Sequence, residues 1–324
     1  MAGQNPAYPP LGNGYAPAGP RPVRPGHDPY ALPARHRPRR TPAGTVVLAL
    51  GALASVFVIS TLVVAVFTQH HQGAAATDGR PAATVSRAVA TDNKLYRTGP
   101  LTAVSCRVPH ITTASGESMR RFMEVLTGCL DASWRRQFAK GGLRYGAPQR
   151  VFWSEPGRSP CGSYPQPGAA AFYCPADNAM YVGLRDIIDT AGNEPVSNYA
   201  VYARVIAHEY GHHVQEEAGI LAYGHEEMDR PSTAARTEAS RRIELQAQCF
   251  AGAFLGAERY TLPMTPRQYH AMMADVRGRG DENQPPAQRD HGSSRHYAGW
   301  VEKGFRDRAL SVCDTWSGAP SAVS

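Results

Sequence analysis

The sequence predicts a mainly helical α+β domain with a small β-sheet, set behind one N-terminal transmembrane helix that a disordered tail precedes. Three observations predict it: an uncharged apolar run at Thr45–Phe67, helix-period stretches after it, and six cysteines that all lie after the apolar run.

Residues 1–43 are dominated by Pro, Gly, Ala and Arg, as in "APAGPRPVRPGHDPY". They carry too few large aliphatic side chains to offset chain entropy and read as a disordered tail. The formal net charge of +7 would suggest nucleic acid if it covered a folded face. Six arginines (Arg21, Arg24, Arg35, Arg37, Arg39, Arg40) and one acid (Asp28) lie in the first 40 residues, so most of that charge belongs to the tail. No nucleic-acid partner is expected.

Residues 44–67 contain "TVVLALGALASVFVISTLVVAVF", about the 20 residues that a helix needs to cross a bilayer. A buried core helix would show a polar face, and the apolar region of a cleaved signal peptide is only about 7–15 residues. The arginines flank the run on its N-terminal side, and "TQHHQGAAATDG" on the other side has no Lys or Arg. The positive-inside bias then places the tail in the cytoplasm and the rest outside, a single-pass protein of the cell membrane. The cysteines agree, because an oxidising compartment lets thiols pair. Six cysteines allow 15 connectivities; proximity in sequence suggests Cys106 with Cys129, Cys161 with Cys174, and Cys249 with Cys313.

Residues 68–93, rich in Ala, Thr, Gly and Gln, read as an extracytoplasmic linker, the folded domain as 94–316, and residues 317–324 as a disordered C-terminus. Within the domain, Met119, Phe122, Met123, Leu126, Leu130 and Trp134 recur at spacings of three and four, which predicts an amphipathic helix with Ser115 as its N-cap. "RVFWSEP" and "AAFYCPADNAMYVGL" suggest two short strands around a Gly/Pro-rich loop. Helices follow at about 197–217, 232–255 and 294–310, the first two separated by a polar stretch containing "AYGHEEMDRP".

The first of these helices holds "VIAHEYGHHVQ", Val205–Gln215. Side chains four apart share a helix face, so His208 and His212 can aim two imidazole nitrogens at one metal ion. Glu209, about 100° round the helix, flanks that point and is the candidate general base. Zinc with three protein ligands keeps a fourth position for water, which is the arrangement of peptide-bond hydrolysis. "RRIELQAQCFAGAF" in the next helix offers the third ligand, Glu244, where a lone helical glutamate would otherwise sit on a solvated face. An oxyanion stabiliser is also needed, for which His291 in "DHGSS" and Tyr297 are candidates beside capping or packing roles.

The pieces "PCGSY", "FYCPADNAMYVGL", "VIAHEYGHHVQ", "IELQAQCFAGAF", "RDHGSSRHYAGWVEKGF" and "CDTW", in that order and at this spacing, resemble the neutral zinc metallopeptidases of bacteria, mostly membrane-anchored or exported. The resemblance covers nearly the whole outer domain. It implies a zincin-like peptidase domain with one Zn2+ per chain, His208, His212 and Glu244 as ligands, Glu209 as base, and a peptide or protein substrate. The chain departs from the family at Gln248, where an aspartate is usual four residues after the ligand glutamate. Such an acid fixes the tautomer of a ligand histidine, so weaker zinc binding or lower activity is expected. The same departure leaves open a membrane-tethered binding or scaffold protein that keeps the peptidase fold.

Other residues have blander readings. His213 is one step off the ligand stripe and reads as packing. Gly211 costs about 1 kcal/mol of helix stability relative to alanine, either as a tolerated defect or to let a strand or substrate backbone approach. Cys249 reads as disulfide or core, and His225–Glu227 with His70 and His71 as solvated loop.

Overall fold

The computed structural model describes residues 85–112, 116–165, 169–192 and 194–324. The expected tail, transmembrane segment and first part of the linker lie outside these residues, as do Ser115, His70 and His71. Among the described residues no helix is long and apolar enough to cross a membrane.

A four-residue helix α1 (Ala88–Thr91) leads into a 3-10 turn, Lys94–Arg97, capped by the side chain of Asn93. Helix α2 (Gly116–Lys140) buries the predicted stripe, Met119 to Trp134, and extends it to Phe138. Trp134 meets Phe250 edge-on at 5.4 Å, which seats α2 against the centre of the domain.

Strands β1 (Gln149–Trp153), β4 (Ala171–Cys174) and β5 (Ala179–Gly183) form one sheet in the order β1-β5-β4. β1 runs parallel to β5 with Gln149 opposite Ala179, and β4 runs antiparallel with Cys174 opposite Ala179. The Gly/Pro-rich loop between the two expected strands folds into a hairpin of its own, β2 (Gly157–Ser159) and β3 (Gly162–Tyr164). The Cys161–Cys174 bridge ties this hairpin to β4. Every residue of β4 and β5 is buried, so their near-continuous apolar sequence needs no alternation.

After the short helix α3 (Asp186–Thr190) come α4 (Tyr199–Glu217), α5 (Ile220–Met228), α6 (Thr233–Ala257), α7 (Pro266–Arg277) and α8 (Ser294–Asp307). Every residue of α6 from Arg242 to Ala257 is buried, which makes it the central helix that the others surround. Two close approaches set its neighbours. A Cβ on Gly211 of α4 would lie 3.0 Å from the Cα and carbonyl oxygen of Ala247, and one on Gly304 of α8 would lie 2.1 Å from the carbonyl of Cys249. Glycine at these positions lets helix backbones touch, so what approaches Gly211 is the neighbouring helix rather than a strand or a substrate. The remaining bridges are Cys106–Cys129 and Cys249–Cys313, so the three pairs that proximity suggested all form.

Three expectations are corrected, and one helix is added. The polar stretch 220–228 is helix α5, because Ile220, Leu221 and Tyr223 bury against Ile243 of α6, and its His225 is buried rather than solvated. Residues 85–93, expected as linker, dock on that helix and on the end of α4: Ala90 is buried in the same cluster, and Asn93 donates its side-chain amide to the carbonyl of Ala218, the C-cap of α4. The C-terminus is packed, with Val323 fully buried and Trp300 donating to the carbonyl of Ala322. Helix α7 was not anticipated, although Thr265 caps it and Pro266 opens it, both ordinary helix-start signals.

Candidate metal centre

Gly211 stands between the two histidines of α4 in sequence, and its contact with Ala247 brings α6 close enough for Glu244, one turn before Ala247, to reach them. The Nε2 atoms of His208 and His212 are 3.2 Å apart. Oε2 of Glu244 lies 3.2 Å from Nε2 of His208, and Oε1 lies 3.6 Å from Nε2 of His212. Ligands about 2.0–2.2 Å from a tetrahedral ion are separated by about 3.3–3.5 Å, so three donors at these spacings fit zinc.

Protonation fits as well. Burial, with the nearby charge of Arg204, holds His208 well below the usual histidine range, and burial brings His212 down to about 4. Both rings are therefore neutral and their contacts with Glu244 are not ion pairs. Oε2 of Glu244 is buried and accepts no hydrogen bond among the described residues, a costly state for a carboxylate that a cation relieves. Nδ1 of His212 lies 3.0 Å from Oε1 of Gln215, which can only accept, so the proton sits on Nδ1 and the Nε2 lone pair faces the cluster. Gln215 in turn donates to the carbonyl of Ile243 and to Gln246, and Gln246 donates to Tyr96 and the carbonyl of Cys313. This buried amide chain was not picked out from the sequence, though Gln215 sits three residues after His212.

His208 has no equivalent support. Its Nδ1 and Oε1 of Gln248 are both buried without a hydrogen-bond partner among the described residues, while Nε2 of Gln248 donates to the hydroxyl of Tyr297. Gln248→Asp is expected to raise zinc affinity by about 10–100-fold, the usual reach of such partners. Competition against a fluorescent zinc chelator measures it, and an unchanged affinity would show that position 248 does not orient His208.

Glu209 is buried on α4, and burial followed by the charge of Glu244 holds its carboxyl well above the usual range, against a backbone hydrogen bond from Tyr173 of the edge strand β4. His291 lies opposite, its Nε2 3.9 Å from Oε2 of Glu244 and its Nδ1 2.6 Å from Oδ1 of Asp290. Burial opposes charge on this ring, but the hydrogen bond to Asp290 and the charges of Glu244, Asp290 and Asp281 outweigh it and raise its pKa to about 9. Asp290, like Gln215, was missed; it is the residue next to a candidate that had been singled out. Tyr297 is buried behind the cluster, and its phenol is held protonated by that burial. A pair of arginines completes the surroundings: the buried Arg204, one turn before His208, binds Asp275 at 2.6 Å, and Asp275 also binds the half-buried Arg279.

His213 faces away from the ligands, with its Nε2 donating to the carbonyl of Gly146 at 2.8 Å, and burial lowers its pKa to about 4. The unfolded chain takes up this proton near pH 6.5 and the folded chain refuses it until about pH 4. The stabilising contribution of His213 is thus complete above about pH 6.5 and is lost as the pH falls toward 4. His213→Asn should destabilise the chain at pH 7, and the gap in urea midpoint between variant and parent should narrow by pH 4.5. A constant gap would show that the ring is not held neutral.

Two imidazoles and a carboxylate converge from adjacent helices, with a second carboxylate beside the first histidine, a donor set that fits zinc. Residues 93–316 match the family described as putative neutral zinc metallopeptidase, and the chain belongs to that family. The uncharacterized protein YpfJ of Escherichia coli (strain K12) is 28% identical over 204 residues, covering 60% of this chain and 71% of its own. The uncharacterized protein Rv2575 of Mycobacterium tuberculosis (strain H37Rv) is 28% identical over 170 residues, covering 46% of this chain and 55% of its own. No solved structure matches the chain.

Proposed function

We propose that this chain is a membrane-anchored zinc peptidase that hydrolyses peptide bonds outside the cytoplasm. The observation that carries the reading is the convergence of His208, His212 and Glu244 beside a buried Glu209, with His291, held by Asp290, facing them. His208, His212 and Glu244 would hold the ion, and Zn2+ bound there supplies a Lewis acid and brings the pKa of water towards roughly 7. Glu209 accepts the proton of the attacking water and passes it to the leaving amine. His291, fixed by Asp290, presents a positive N–H to the oxyanion that develops on the carbonyl, whereas Tyr297 is engaged behind the cluster with Gln248.

The membrane anchor and external placement rest on the apolar run 44–67, its arginine-rich N-terminal flank and three disulfides. The reading is tested with the full-length chain in detergent and an unfolded protein substrate such as casein. Hydrolysis that a chelator abolishes and one equivalent of zinc restores supports it. A zinc-loaded chain that leaves every peptide intact favours the scaffold reading.

A further inference from the structure

The proton on Nδ1 of His212 leaves its Nε2 free for a metal, and the group that receives that proton is a neutral amide, Gln215. A carboxylate or a backbone carbonyl can only accept. An amide turned over would present an N–H instead and send the proton to Nε2, where it blocks a ligand bond. The orientation of Gln215 therefore has to be enforced.

Backbone carbonyls enforce it at every step. Nε2 of Gln215 donates to the carbonyl of Ile243 at 2.9 Å, which leaves Oε1 for His212. The same Nε2 donates to Oε1 of Gln246 at 2.9 Å, and Gln246 is turned in its place by the carbonyl of Cys313, to which its own Nε2 donates at 3.1 Å. That Nε2 also donates to the hydroxyl of Tyr96 at 2.8 Å. The hydroxyl donates onward to the carbonyl of Ala90 at 2.8 Å, so it shows Gln246 only a lone pair. Burial holds the phenol protonated, which keeps it a donor.

Four hydrogen bonds thus run in one direction, from His212 through Gln215, Gln246 and Tyr96 to Ala90, and both glutamines are fully buried. Bonds aligned head to tail polarise one another, and each strengthens the next. The far end of the chain belongs to the segment that leads into the domain. Ala90 packs in one cluster with Ile220 and Tyr223 of α5, and the backbone N–H of Val85 donates to Glu226.

We propose that Tyr96 and Gln246 are positioning residues for His212, and that the docked segment 85–97 is thereby part of the metal site. The inference rests on the reading of His212 as a ligand. The fraction of chains with the Nε2 lone pair available scales the apparent affinity for the ion, so whatever loosens the far end of the chain weakens metal binding.

The experiment uses the full-length chain in detergent and reads metal binding and tautomer instead of cleavage. Tyr96→Phe should weaken zinc binding by about 10-fold in competition with a fluorescent chelator, the lower end of what such outer partners contribute. Gln246→Met keeps the side-chain length, removes both amide groups and should cost about 10–100-fold. Adding Tyr96→Phe to Gln246→Met should cost nothing further, because the two act through one chain. In the zinc-free, 15N-histidine-labelled parent at pH 8, His212 should show a single tautomer with the proton on Nδ1, and Gln246→Met should show a mixture. A lower Tm of zinc-free Tyr96→Phe with unchanged zinc affinity would make Tyr96 merely structural and overturn the inference. Additive losses in the double variant, or a mixed tautomer already in the parent, also overturn it. A parent that cleaves nothing yet shows these affinity and tautomer changes leaves the inference standing and removes the peptidase; a parent that cleaves peptides while the variants bind zinc as it does removes the inference and leaves the peptidase.

Discussion

Glu209→Gln should lower kcat for peptide hydrolysis by about 10²–10⁴ while zinc content stays at that of the parent. The substitution keeps the size and burial of the side chain and removes only its capacity to accept a proton. Glu209 is absent from the ligand set, whose three atoms converge without it, so metal retention is part of the expectation. KM should change little, because the loss falls on a step made in the transition state. Kinetics with a quenched fluorescent peptide, beside metal analysis of the same sample, check both halves. Hydrolysis at the parent rate would assign the chemistry to another group; zinc lost together with activity would make Glu209 a ligand.

The meeting of His208 and His212, with Glu209 beside them, was legible because helix geometry is periodic: four residues apart means one face, whatever surrounds it. That Glu244 of the next helix joins them was legible from the stretch "RRIELQAQCFAGAF" and the family it resembles. The disulfide pairs were legible for a humbler reason, that each bridge joins cysteines adjacent in sequence order. What supports the ligands was not. Gln215 and Asp290 act through single hydrogen bonds to His212 and His291, and nothing in a glutamine three residues from a ligand announces that its amide faces inward. Helix α5 was hidden because "GHEEM" looks like solvated loop, yet one turn of Ile220, Leu221 and Tyr223 against Ile243 is enough to bury His225 beside it. Tertiary packing overrides composition at such places. Gly211 shows the intermediate case: its cost to the helix was visible in sequence, whereas the partner that required it, Ala247 next to the ligand turn of α6, was not.

Glu244→Gln should abolish stoichiometric zinc binding and leave the chain folded. The isosteric amide removes the charge that two neutral imidazoles cannot replace, and the loss should exceed the about 10–100-fold typical of partners that only orient a ligand. Zinc at 100 times its dissociation constant stabilises a protein by about 2.7 kcal/mol, so the parent should show a rise in Tm on adding zinc that the variant lacks. Folding should survive because the contacts that hold α4 to α6 do not pass through the ion. Gly211 packs on Ala247, Gln215 donates to the carbonyl of Ile243, and Cys249–Cys313 fixes α6 to the C-terminal segment. A purely structural zinc predicts the reverse, that chelation unfolds the domain. Circular dichroism of the chelated parent beside the variant decides between them. Native helix content in both keeps the metal as a group the fold has room for and does not need, whereas collapse of both would move Zn2+ from the chemistry into the scaffold.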